Sequence, residues 1–293
     1  MAVTSPANPL LPARLIRQAR RIALRAGSGI AEFGSFLLYV ERVLYHTIFD
    51  IILRRKYRKE VVRQISDVVV GAGAYVAGGG MLFVIAAMSL ATGATVGIEG
   101  FNGLRGLGAE SFTGLVASFG NTREVTPIIA AVALAAQVGA GFTAEIGAMR
   151  ISDEIDALEV MGVPSLVYLC CTRLIATLIA LMPLYFISLF ASFFASKFVT
   201  TTVLGLSPGI YDHYFHLYLP PIDIVYSVIK VTVFAIVIVL IHTYYGYNAS
   251  GGPAGVGVAV GKAIRTSIIS IVVLNLVMSF IFWGTSTTVS LTG

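Results

Sequence analysis

Five stretches of this chain, residues 68–98, 125–144, 174–196, 231–261 and 266–293, contain no Asp, Glu, Lys or Arg. A helix needs about 20 apolar residues to cross a bilayer core, and every one of these runs is long enough. The chain is 57% hydrophobic and 12% charged, whereas soluble domains average about 45–50% and about 25%. A water-soluble enzyme is excluded. The runs predict an all-α integral membrane protein with five transmembrane helices.

The remaining charges set the expected topology. Twelve of the 20 Lys and Arg precede residue 65, against four acids there, and cations beside the first span are retained in the cytoplasm. The N-terminus is therefore expected inside and, after five spans, the C-terminus on the extracytoplasmic side. That places Arg150, Arg173, Lys262 and Arg265 on cytoplasmic connections and Arg105, Arg123 and Lys197 on external ones. Residues 1–25 lack the apolar core and small-residue cleavage site of a secretory signal. The chain divides on this reading into a basic cytoplasmic segment, 1–64, and a transmembrane domain, 65–293.

Within the first segment, Phe33, Phe36, Leu37, Val40, Leu44, Ile48 and Ile51 recur at helical spacing, with Glu32, Tyr39, Arg42, His46 and Asp50 largely opposite. The pattern predicts an amphipathic helix lying in the inner interface; a sixth span is the competing reading. The basic run Arg54-Arg55-Lys56-Tyr57-Arg58-Lys59 either holds anionic head groups or serves only to orient the chain.

The first uncharged run is too long for one straight span and contains Gly71, Gly73 and Gly78-Gly79-Gly80, which predicts a broken or tilted helix. The second span, 125–149, carries Ala135/Gly139 and Ala140/Ala144, small residues four apart that suit close helix packing. Arg173 and Lys197 flank the third span, 174–196, where both cations can snorkel to the interfaces; Pro183 can kink it. The fourth, 223–247, ends in an aromatic belt at Tyr244, Tyr245 and Tyr247. Lys230 inside it is open to two readings, a functional group or a cation that snorkels outward. The fifth, 266–283, holds Asn275, expected to bond a neighbouring helix.

Several chemistries fail on inspection. Gly261-Lys262 lacks both the upstream Gly and the following Ser or Thr of a phosphate loop. Gly255, Gly257 and Gly261 have the wrong spacing for a dinucleotide fingerprint and suit close packing. Asp212, His213 and His216 make a weak metal cluster, and the adjacent Cys170 and Cys171 read as small apolar fillers. The informative segment is 144–164, which joins the second and third spans. Ser152 can cap a helix, Asp153 and Glu154 suit its positive end, and Gly162 with Pro164 stops it. Ile155, Leu158 and Met161 line one face, and Asp153, Glu154, Asp156 and Glu159 carry four negative charges. Such a helix can seat in another protein's groove, with Glu145 and Arg150 expected to pair in its support.

Ala144-Glu-Ile-Gly-Ala-Met-Arg150, Glu154-Ile-Asp-Ala-Leu-Glu-Val-Met-Gly162, the Arg173 that follows and Gly251-Gly-Pro-Ala-Gly-Val-Gly257 resemble the MlaE/YrbE family of ABC-transporter permeases over nearly the whole chain. The segments His242-Thr-Tyr-Tyr-Gly-Tyr-Asn-Ala-Ser-Gly-Gly-Pro253, Thr200-Thr-Thr202 and Tyr211-Asp-His-Tyr-Phe215 further resemble the B-type YrbE permeases of actinobacterial Mce systems. That resemblance implies the permease subunit of a lipid importer in the plasma membrane. It would be paired with a related A-type permease, two copies of a cytoplasmic ATPase and a hexamer of Mce proteins. ATP and Mg would then be bound by the partner, and no cofactor by this chain. Residues 153–161 would form the coupling helix, with Glu154, Asp156, Leu158 and Glu159 touching the ATPase. Ala254 stands where many relatives have Glu. A stand-alone secondary carrier of a hydrophobic substrate is the alternative.

Overall fold

Hydrocarbon offers no partner to a backbone N–H or C=O, so an uncharged run satisfies its hydrogen bonds internally as a helix. The computed structural model describes residues 34–71 and 80–284, and among them there is no strand. In chain order the helices are α1 (34–53), α2 (Arg58–Val69), α3 (Met81–Arg105), α4 (Glu110–Ile151), α5 (Glu154–Val160), α6 (Val167–Val203), α7 (Pro208–Leu217), α8 (Pro221–Tyr247) and α9 (Gly252–Trp283). Five of them, α3, α4, α6, α8 and α9, are long and apolar enough to cross a membrane. The expected roles of the chain before residue 34, Glu32 and Phe33 included, and of Gly73, Gly78 and Gly79 lie outside the described residues.

The spans differ from expectation mainly at their ends. α2 runs across the expected boundary at residue 64 and stops at Val69, with Gly71 in the left-handed region at φ +76°. The first span therefore starts at Met81 rather than near residue 68. α9 starts at Gly252, after Gly251 at φ +88°, so Lys262 and Arg265 lie in its first half and not on a connection. Only Gly255 among the three expected packing glycines is closely approached, by the Ser250 carbonyl; Gly257 and Gly261 face open space. Arg123 likewise sits within α4, not on an external connection.

The closest pairing joins α3 to α6. Ser89, Gly93 and Gly97 repeat at four-residue spacing on α3 and face Ser188, Ser192 and Ser196 on α6. Ser89 and Ser188 hydroxyls meet at 2.6 Å, and a Cβ on Gly97 would stand 2.8 Å from the Ser196 carbonyl oxygen. Small residues at this spacing let two backbones touch, which replaces the hydrophobic drive that lipid removes. α4 lies centrally, as its Ala and Gly content predicts, against α3, α6, α8 and α9. A Cβ on Gly139 would meet the His242 ring of α8 at 2.6 Å, and Thr143 Oγ1 bonds the same ring at Nδ1, 2.8 Å away.

α1 packs on the bundle through a different face from the one expected. Tyr39, Val43, Thr47, Asp50 and Ile51 are buried, while Leu37, Leu38, Ile48 and Ile52 are exposed. The reason is local: Tyr39 meets Tyr244 edge-on at 5.3 Å, and the Val43 carbonyl accepts the Cys171 thiol at 3.5 Å. His46 bonds Asp50 at 2.8 Å, and that bond, aided by Lys56 and Arg54, holds the Asp50 carboxyl below its usual range. An apolar outer face carries no penalty where the surroundings are lipid. Tyr244 therefore seats α1 rather than standing free in an aromatic belt. Cys170 and Cys171 are buried free thiols, as expected of fillers.

Candidate functional site

The short helix α5 sits at one end of the bundle, between α4 and α6. It spans seven residues, Glu154–Val160, shorter than the expected 153–161, because Asp153 is left-handed at φ +58° and Met161 has left the helical region. Ser152 does not cap it. Its hydroxyl donates to the Ala148 carbonyl at 3.0 Å and to Glu154 at 2.9 Å, closing the end of α4.

Each side chain of α5 has a separate task. Ile155 is fully buried and anchors the helix, and Leu158 packs partly against the core. Asp156 accepts from Arg150 at 2.9 Å. Glu159 accepts from Ser165 at 2.6 Å and from Tyr247 at 3.4 Å, which ties α5 to α8. Met161 does not share the buried face; it is 69% exposed and its neighbour Val160 89%. The outward surface is therefore Asp153, Glu154, Val160 and Met161, two acids beside two apolar side chains.

The expected Glu145–Arg150 pair does not form. Five residues apart on a helix, the two point about 140° from each other. Arg150 turns instead to Asp156, and Glu145 accepts from Arg173 of α6 at 2.9 Å. Arg173 does not snorkel, because α6 begins at Val167 and carries it inward. Its side chain is 6% exposed, bonds the Leu169 carbonyl at 2.9 Å and lies over Phe142. Arg173→Met is expected to cost about 2 kcal/mol, the worth of a charged hydrogen bond. The cost stays moderate because Glu145 is 62% exposed and is not left buried without its partner. Thermal melting in detergent measures it.

The opposite end holds a buried polar network that sequence reasoning largely missed. Lys230 of α8 does not reach an outer surface. It is fully buried and donates to the Arg123 carbonyl at 2.7 Å, Ser279 Oγ at 2.6 Å and Glu124 Oε1 at 3.3 Å. Glu124 also accepts from Asn275 at 2.7 Å and Ser279 at 2.6 Å, so Asn275 does bond a neighbouring helix. Arg123 pairs with buried Asp223 at 2.7 Å, and Trp283 Nε1 donates to the same carboxylate at 2.8 Å. Ion pairs thus join α4 to α8, and hydrogen bonds from Asn275, Ser279 and Trp283 tie α9 to the same groups. The available signal was that Arg123 and Glu124 abut an uncharged run, yet the run's edge reads as a helix end.

The Asp212, His213 and His216 trio lies on helix α7. Asp212 pairs with Lys197 at 2.8 Å, and His216 Nδ1 bonds the Asp212 carbonyl at 2.8 Å. No group of three metal-ligating side chains occurs among the described residues.

Comparison with known proteins gives a consistent picture. The family profile described as "Permease MlaE" matches residues 70–281. A probable ABC transporter permease of Rickettsia prowazekii is 32% identical over 200 residues, covering 68% of this chain and 77% of that protein. A probable ABC transporter permease of Rickettsia felis is 28% identical over 270 residues, 92% of this chain and 99% of its own length. The chloroplast protein trigalactosyldiacylglycerol 1 of Arabidopsis thaliana is 32% identical over 177 residues, 60% of this chain and 51% of that protein.

Proposed function

Since this chain belongs to the MlaE permease family, we propose that it is the membrane half of an ATP-driven lipid importer of the Mce type in the plasma membrane, acting beside a related A-type permease. A separate cytoplasmic ATPase, present in two copies, binds ATP and Mg, and a hexamer of Mce proteins delivers the lipid from outside. The naming of one relative after a galactolipid supports a lipid cargo. The apolar outward faces of α3 and α9, with Phe83, Leu90, Leu276 and Phe280 exposed, suit contact with lipid or the second permease.

The observation that carries the reading is the braced surface of α5. Asp156 and Glu159 are occupied by Arg150, Ser165 and Tyr247, so force applied to α5 passes into α4, α8 and the segment that leads into α6. Glu154, Val160 and Met161 remain outward for a partner. An ATPase that grips this surface differently in its two nucleotide states shifts the permease between conformations, since only differential affinity moves such an equilibrium.

Glu154→Lys combined with Val160→Asp is expected to cut recovery of the ATPase with the purified permease at least tenfold and to abolish lipid uptake. The variant should still accumulate in the membrane, because neither side chain is buried. Full ATPase recovery and uptake in that variant would overturn the docking role.

The ion network around Lys230 favours one second reading, because secondary carriers use buried ionisable groups at broken helices. The two separate cleanly: uptake that survives loss of the ATPase but collapses with the proton gradient selects the carrier.

A further inference from the structure

The corner between α1 and α2 is the most basic surface among the described residues, and nothing in the transport reading uses it. Arg54, Arg55, Lys56, Arg58, Lys59 and Arg63 are all exposed there, against two acids, Asp50 and Glu60. Asp50 is shared by Arg54 at 3.4 Å and Lys56 at 3.7 Å, and Arg63 takes Glu60 at 2.6 Å. Arg55, Arg58 and Lys59 face no acid in the described residues.

The corner is built rather than loose. Arg55 and Tyr57 both adopt the left-handed region, at φ +54° and +57°, a conformation that costs a side-chain-bearing residue energy and persists where the surroundings impose it. The Lys56 N–H donates to the Asp50 carbonyl at 3.0 Å. Tyr57 meets Tyr168 edge-on at 5.3 Å, and Tyr168 donates to Glu60 at 3.3 Å.

Tyr168 is the second residue of the membrane-crossing helix α6. That contact sets the depth of the cations at the level where a span enters hydrocarbon. On the preceding turns of α1 the outward side chains are apolar, Ile48, Phe49, Ile52 and Leu53. An apolar surface that ends abruptly in unpaired cations at the mouth of a span matches, in charge and in depth, the acyl chains and phosphodiester of an acidic lipid.

We propose that the α1–α2 corner binds the head groups of anionic phospholipids in the leaflet on the α5 side of the bundle, with Arg55, Arg58 and Lys59 as the principal contacts. The site anchors α1 in the interface independently of the transported molecule.

The test uses the full chain released from nanodiscs containing equal phosphatidylglycerol and phosphatidylcholine, with retained lipids counted by native mass spectrometry. The native chain should retain phosphatidylglycerol at least threefold over phosphatidylcholine. The triple variant Arg55→Gln, Arg58→Gln, Lys59→Gln should bring the ratio close to one, and Lys197→Gln at the other end of the bundle should leave it unchanged. If the triple variant does not fold, the native chain answers by salt: enrichment should fall as ionic strength rises from about 0.1 to about 0.5 M, which shortens the screening length. An undiminished ratio in the triple variant, or in high salt, overturns the proposal. So does complete displacement of the lipid by millimolar inorganic phosphate, the mark of a free-anion site. Equal retention of both lipids by the native chain, which assigns the corner to a soluble acidic partner, overturns it as well.

Discussion

Replacing Gly93 by leucine is expected to prevent the chain from accumulating as a folded membrane protein. A Cβ on Gly93 would overlap the carbonyl oxygen of Ser192, with Ser192 Cα only 2.7 Å away. Real Cβ contacts essentially never fall under 3.0 Å, and the obstacle is backbone, so no rotamer change relieves it. The helices must separate, and with them go the Ser89–Ser188 bond and the fit at Gly97. Overpacking costs about 1–3 kcal/mol where side chains can yield; here the cost should be about 3 kcal/mol or more. Gly257→Ala, where the new methyl meets nothing within 4 Å, is the control and should melt like the native protein. Membrane yield and melting temperature of the two variants decide the matter. Equal behaviour would mean that α3 and α6 are not held by this contact.

That contact also shows what the sequence could and could not convey. The five spans were legible, because the cost of unpaired backbone in lipid forces long uncharged runs into helices. Which glycines matter was not. Gly93 and Gly97 resemble Gly257 and Gly261 in their four-residue spacing, and only the facing serines of α6, about a hundred residues away, separate a packed stripe from an open one. The face of α1 was misread for a related reason. Amphipathic patterning assumes water on the far side, whereas the outer face of α1 is apolar too, so the pattern places Tyr39 outward although its partner Tyr244 lies in the bundle, and Asp50 outward although it is buried beside His46, Arg54 and Lys56 of its own corner. Ion pairs were the least legible. Glu145 and Arg150 are near in sequence and point apart, whereas Glu145 and Arg173 are separated by 28 residues and meet. In α5 the spacing places Met161 on one face with Ile155 and Leu158, but Met161 has left the helical region and is exposed beside Val160, because spacing carries a face only as far as the helix itself continues.

The network at the far end yields the sharpest asymmetry. Glu124→Gln should destabilise the protein far more than Lys230→Met, although each removes one member of the same pair. Lys230 has no exposed side-chain surface, whereas Glu124 is 42% exposed. Without Lys230, Glu124 keeps its bonds from Asn275 and Ser279 and, being partly exposed, is not stranded in the interior. Without the Glu124 charge, the Lys230 ammonium stays buried with only the Arg123 carbonyl and a serine hydroxyl. Removing one partner of a buried pair typically costs about 3–5 kcal/mol, because the other charge is stranded. For Lys230→Met the loss should be about 1 kcal/mol, since methionine fills the same space and adds no unpaired polar atom. The double variant should recover most of what Glu124→Gln loses, because the stranded charge is then gone. Melting curves of the four proteins in one detergent form the cycle. Equal losses for the two single variants, or simple addition in the double, would mean that Lys230 draws its stability from the carbonyl and hydroxyl alone and that Glu124 is a bystander at the mouth of the network.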